Sequence, residues 1–122
     1  GKNNRLALEN FLQVIKRFPK SKYSRDSEQK IILVKSNIAA KHMNIGRFYL
    51  KNDKYSAALN RFKLVVEDYS MTKFTPEALF RMVEIYNYLG MNEDAQKTAS
   101  VIGYNYPKSK WYKYSYDLLY KK

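Results

Sequence analysis

Apolar residues recur along the chain at helical spacing. In ALENFLQVIKRFPKS, Ala7, Phe11, Val14 and Phe18 stand at offsets 0, 4, 7 and 11. That spacing lays them on one face of an α-helix. AALNRFKLVVEDYSMT repeats the pattern with Ala58, Phe62, Val65 and Tyr69, and DAQKTASVIGYNYPKS with Ala95, Ala99, Ile102 and Tyr106. Pro19, Ser70 and Pro107 close the three copies. The small Ala admits a neighbouring helix, and the Phe four residues later fills the gap beside it in the first two copies. Self-similarity of this kind marks a repeat architecture.

The second and third copies each have a helical partner upstream, in HMNIGRFYLKNDKY and EALFRMVEIYNYLGMN. Ile45, Gly46 and Tyr49 align with Met82, Val83 and Tyr86. Gly in mid-helix costs about 1 kcal/mol relative to Ala, so Gly46 is expected to let two backbones come close. Asp53 and Gly90 fall where each hairpin turns. Between Pro19 and Gly46 no Pro or Gly interrupts the chain, and an apolar stripe runs through Ile31, Val34, Ile38, His42, Ile45 and Tyr49. The stripe predicts one helix from Ser24 to about Lys51, roughly 40 Å long at about 1.5 Å per residue. Cap signals place the remaining boundaries: Ser24, Asp53, Thr75 before Pro76 and Glu77, Asn92 before Glu93 and Asp94, and Ser109. The expected helices span 4–18, 24–51, 54–69, 76–89, 93–105 and 110–120. The fold class is all-α: a solenoid of helical hairpins with one extra-long helix. Residues 1–122 form a single unit, with a repeat remnant at 4–19, a long-helix repeat at 24–70, a repeat at 75–107 and a capping helix at 110–120. The hairpins resemble the tetratricopeptide repeat, whose period is about 34 residues. His42 stands where that pattern has Trp, Ser70 where it has Pro, and Asn92 and Ala99 where it has aromatics. The first helix has the pattern of a second helix and no partner before it. Either something docks on its apolar face or the chain is a piece of a longer array, and the latter is the reading taken here.

Composition narrows the function. The net charge of +12 favours anionic partners, but 17 of the 23 basic residues are Lys scattered along the chain, the usual make-up of a solvated surface. Cysteine is absent, which excludes disulfides and thiolate metal sites. His42 is the sole histidine and lies on the apolar stripe, where a packing role is expected. Glu67-Asp68 and Glu93-Asp94 are adjacent pairs that diverge on a helix. No phosphate-binding loop or nucleophile elbow is present. The chain is therefore not expected to be an enzyme, and no cofactor or metal is expected. Aromatics interleaved with bases in GRFYLKNDKYSAALNRF and YNYPKSKWYKYSYDLLYKK suggest single-stranded nucleic acid as an alternative partner. In the tail, however, Trp111, Ser115 and Leu118 share one face, with Tyr112, Tyr116 and Leu119 beside it. Such a face docks onto the preceding hairpin. A helical array without catalytic groups fits protein binding better.

A closer resemblance lies in the order of the pieces. RFPKSKY ends the first helix. A long helix runs into NIGRFYLKNDKYSAALNRFKLVVEDY, and EALFRMVEIYNYLGMNEDAQKTASVIGYNYPKSKWY follows. Over nearly its whole length the chain resembles the C-terminal part of the BamD family, lipoproteins of outer-membrane-protein assembly. The resemblance implies a non-catalytic scaffold on the periplasmic face of the outer membrane, anchored by a lipidated Cys outside this chain. It implies docking to the POTRA domains of the BamA barrel protein and to accessory Bam lipoproteins. Recognition of unfolded outer-membrane proteins belongs, by the same resemblance, to N-terminal repeats that this chain lacks. The family's Asn-Arg pair matches Asn60-Arg61. Arg61 is the expected interface residue, pairing with an acid on the membrane-proximal POTRA domain. Asn60, Lys63 and Lys54 are further candidates from the same hairpin.

Overall fold

A computed structural model describes residues 22–121. They form the helices α1 (Lys22–Lys51), α2 (Tyr55–Asp68), α3 (Thr75–Tyr88), α4 (Asn92–Asn105) and α5 (Lys110–Tyr120), with no strand among the described residues. The all-α, tetratricopeptide-like reading holds, and each described boundary falls within two residues of expectation. The helix expected over 4–18 lies outside the described residues. At 30 residues, α1 is about 45 Å long.

The chain folds as successive antiparallel neighbours. α1 packs on α2, α2 on α3 and α3 on α4, while α5 lies against both α3 and α4. α3 is thus the central element. Its apolar residues run most of the way round, with Ala78, Leu79, Met82, Val83, Ile85 and Tyr86 all buried. A helix covered on several sides needs that composition. The repeat residues Ala58, Phe62, Val65, Ala95, Ala99 and Ile102 supply the facing surfaces, and all lie in the core.

Ile31 and Ile38 of the expected stripe are buried, but from Ala39 onward the long helix enters the core on a line rotated from that stripe. Ala39 and Met43 are wholly buried in the shared cluster, and Leu50 packs against it. His42, Ile45 and Tyr49 are only half-buried, on the flank of that line. Gly46 continues the buried line. A Cβ there would stand 2.8 Å from the Phe62 ring, so what approaches is a side chain and not a second backbone. Gly103 repeats the device in α4, where a Cβ would meet the Tyr112 ring of α5 at 2.6 Å.

The two hairpin turns share one construction. Lys54 N–H donates to Tyr49 O and Met91 N–H to Tyr86 O, each at 2.8 Å. Asp53 N–H donates to Leu50 O at 3.1 Å and Gly90 N–H to Asn87 O at 3.2 Å. This is the Schellman pattern, which requires a left-handed residue just past the helix. Asp53 and Gly90 are those residues, with φ of 60° and 76°. The two Tyr aligned in the sequence supply equivalent carbonyls. Asp53 therefore ends α1 and does not cap α2, whose N-cap is Lys54 with no side-chain bond. Its carboxylate instead accepts the Tyr55 hydroxyl at 3.1 Å.

Three further caps differ from expectation, the first being Ser24, which lies inside α1 because that helix already begins at Lys22. Met91, not Asn92, is the N-cap of α4. Thr75 is already helical, and its hydroxyl donates backward to Ser70 O at 2.9 Å. Ser109 does cap α5, accepting from Trp111 N–H at 3.1 Å. The docked face of α5 centres on the fully buried Ser115, flanked by half-buried Trp111, Tyr112 and Leu119. Leu118 and Tyr116 are exposed, so the face is narrower than the sequence suggests.

Two substitutions separate packing from backbone strain. Phe62→Ala should cost about 3–5 kcal/mol in denaturant unfolding, because the ring is wholly buried and leaves a cavity. Gly90→Ala should cost about 1–2 kcal/mol, the left-handed penalty alone, since nothing lies within 4 Å of the added Cβ. Equal losses would contradict these assignments.

Candidate protein-interaction surface

The four expected interface residues do not form one patch. α2 turns about 100° per residue, and its buried side is set by Ala58, Phe62 and Val65. Asn60 stands near the middle of the opposite face and is exposed. Arg61 and Lys63 are half-buried on opposite flanks, about 160° apart around the helix. Lys54 is exposed at the N-cap. The flank holding Arg61 borders α1, and the structure gives it a partner there.

Arg61 Nη1 lies 3.0 Å from Nδ1 of His42 on α1. The His42 ring leans on Tyr69 with centroids 5.7 Å apart. His42 thus has the semi-buried packing role expected of it, together with a polar contact the sequence did not announce. Its pKa is lowered, chiefly by burial and then by the Arg61 charge, with Asp68 acting in the opposite direction. A neutral imidazole can accept from a guanidinium, which has only donors.

A second polar cluster bridges α1 and α3. Arg47 Nε donates to Glu77 Oε2 at 2.8 Å and its Nη2 to Oε1, a two-pronged pair. Arg81 Nε reaches Glu77 Oε2 at 3.3 Å, and Arg81 Nη1 donates to Glu84 Oε1 at 2.7 Å. The Arg81 guanidinium also lies over the rings of Phe80 and Trp111, at 5.5 and 5.4 Å from their centroids. Arg47, Leu50, Lys51 and Arg81 line an open groove of about 240 Å³. Burial of Glu77 opposes its ionisation. The hydrogen bonds and charge of Arg47, with help from Arg81, outweigh burial and hold the carboxyl below its usual range.

This cluster was absent from the sequence candidates. The Glu77–Arg81 and Arg81–Glu84 pairs stand four and three residues apart, a spacing readable on any helix. Arg47 and Glu77 are 30 residues apart, and no local pattern announces them. Some aromatics of the basic stretch from Gly46 to Phe62 are engaged with neighbouring rings. Tyr55 stacks on Tyr88 at 4.5 Å, and its phenol is pushed up to about 12, chiefly by a hydrogen bond with Tyr88. Phe48 is exposed. No group of three or more His, Asp or Glu suited to a metal occurs among the described residues. No described helix is long and apolar enough to cross a membrane.

Comparison with known proteins follows the same direction as the sequence. A family described as YfiO, outer membrane lipoprotein, matches residues 2–102. The chain is 50% identical over 114 residues to the outer membrane protein assembly factor BamD of Rickettsia prowazekii, covering 93% of this chain and 45% of that protein. It is 46% identical over 113 residues to BamD of Caulobacter vibrioides, covering 93% and 37%. It is 32% identical over 108 residues to BamD of Neisseria meningitidis, covering 88% and 40%. The chain spans less than half the length of these curated relatives.

The Glu77 cluster makes a pH prediction. A carboxyl whose folded pKa is depressed stabilises the fold fully above its unfolded value near 4.5 and loses that contribution as pH falls through the folded value. Glu77→Gln should therefore melt lower than the parent at about pH 6, and the gap should close on acidification to about pH 3. Parallel melting curves across that range would show that Glu77 contributes nothing through its charge.

Proposed function

The chain belongs to the YfiO family of outer membrane lipoproteins, and we propose that it serves there as a non-catalytic, protein-binding scaffold of outer-membrane protein assembly. The observation that carries this reading is the Arg61 site, set on a frame whose relatives are named assembly factors. The frame supplies rigidity through α3, which packs against three other helices. The polar groups at its seams are engaged in structural pairs, as Glu77 with Arg47 and Arg81. That arrangement suits presentation of surfaces more than chemistry.

The proposed partners are the POTRA domains of a BamA-like barrel protein and accessory Bam lipoproteins, at the periplasmic face of the outer membrane. Arg61 meets an acidic residue of the membrane-proximal POTRA domain. Asn60, exposed beside it, extends the contact over the outer face of α2. Lys54 and Lys63 contribute from the turn and the far flank, and their distance from Arg61 makes them secondary.

Charge reversal tests the site. Arg61→Glu should weaken binding of the membrane-proximal POTRA domain about tenfold or more, because it sets two acids against each other. Circular dichroism should show unchanged helicity. Unchanged affinity would remove Arg61 from the interface. Tight binding of a single-stranded oligonucleotide that persists at about 150 mM salt would favour the nucleic-acid reading instead.

A further inference from the structure

His42 is the one polar residue of the predicted apolar stripe, and its neighbour explains its place. α1 carries it to the flank of α2 where Arg61 stands, with Nδ1 and Nη1 3.0 Å apart. Because a guanidinium only donates, the ring nitrogen accepts, so the imidazole is neutral and carries its proton on Nε2. Tyr69 holds the ring by packing. His42 is the only described residue hydrogen-bonded to the Arg61 side chain. The bond engages Nη1, and no described residue bonds the Nε–Nη2 edge of the fork. Two parallel N–H groups on that edge match the two oxygens of a carboxylate.

A long, freely rotating Arg loses rotamer freedom when it docks, and one held beforehand loses less. We infer that His42 is a positioning residue: it holds the Arg61 guanidinium so that one edge faces a carboxylate of the docking protein. The inference rests on the reading of Arg61 as an interface residue. The charged groups facing His42 among the described residues are Arg61 and Asp68. The direction of its pKa, pushed down by burial and by Arg61, agrees with a ring that stays an acceptor.

Two variants separate the ring from the acceptor. His42→Phe keeps a ring against Tyr69 and removes the acceptor, whereas His42→Asn keeps an acceptor near the place of Nδ1 and removes the ring. Both are titrated calorimetrically, as the whole chain, against the purified membrane-proximal POTRA domain, alone and with Arg61→Gln. His42→Phe should weaken binding about fivefold, His42→Asn should stay within about twofold, and the Phe effect should vanish in the Arg61→Gln background. Nitrogen relaxation of Arg61 Nε in the free chain should show greater motion with His42→Phe than in the parent. Equal loss with Asn and Phe would assign His42 to packing alone and overturn the inference. So would a Phe effect that persists without Arg61, or an Arg61 Nε whose motion does not change. If Arg61→Gln alone leaves affinity unchanged, the Arg61 reading fails first, and the relaxation result still judges His42.

Discussion

The contact of the Phe62 ring with the bare backbone of Gly46 sets the distance between α1 and α2. A ring seated where a Cβ would stand at 2.8 Å lets the two helices close without a void, and close packing is where core stability resides. The rest of the hairpin follows from that distance. His42, four residues before Gly46, comes within hydrogen-bond reach of Arg61, one residue before Phe62. The polar contact at the surface is thus a by-product of an apolar contact beneath it. The α4–α5 pair uses the same device with Gly103 and Tyr112, although the two pairs differ in sequence.

Electrostatics ties the hairpins to one another. Glu77, nearly buried on α3, takes Arg47 from α1 and Arg81 from its own helix. An unpaired carboxylate at that depth would be costly, so the pairing constrains how α1 crosses α3. The same Arg81 then covers Phe80 and Trp111, which links the cluster to α5. A rigid frame of this kind can hold a presented side chain at low entropic cost.

Much of the fold was legible because helices announce themselves locally. The offsets of Ala58, Phe62 and Val65 name a buried face, and those residues are fully buried. Uninterrupted sequence before Gly46 gave the length of α1. The errors share a cause. Ser24, Asp53, Thr75 and Asn92 all have side chains that suit an N-cap, but α1 already contains Ser24, Phe74 stands at the cap of α3, and Schellman turns use Asp53 and Gly90 and place Lys54 and Met91 at the caps. The stripe through His42 and Ile45 was real in spacing yet lay to one side. α1 carries apolar residues on two neighbouring lines, and only the position of α2 selects Ala39 and Met43 for the deeper one.

The sequence by itself determined the described helices, their turns at Asp53 and Gly90, and the family to which the chain belongs. These depend on neighbours a few residues apart, where spacing and backbone preference suffice. The tertiary structure alone decided which line of α1 is buried, that Glu77 binds Arg47 across 30 residues, and that Arg61 rests on His42. Each of these joins residues that only packing brings together. It also parted Arg61 from Lys63, because residues two apart on a helix face nearly opposite ways.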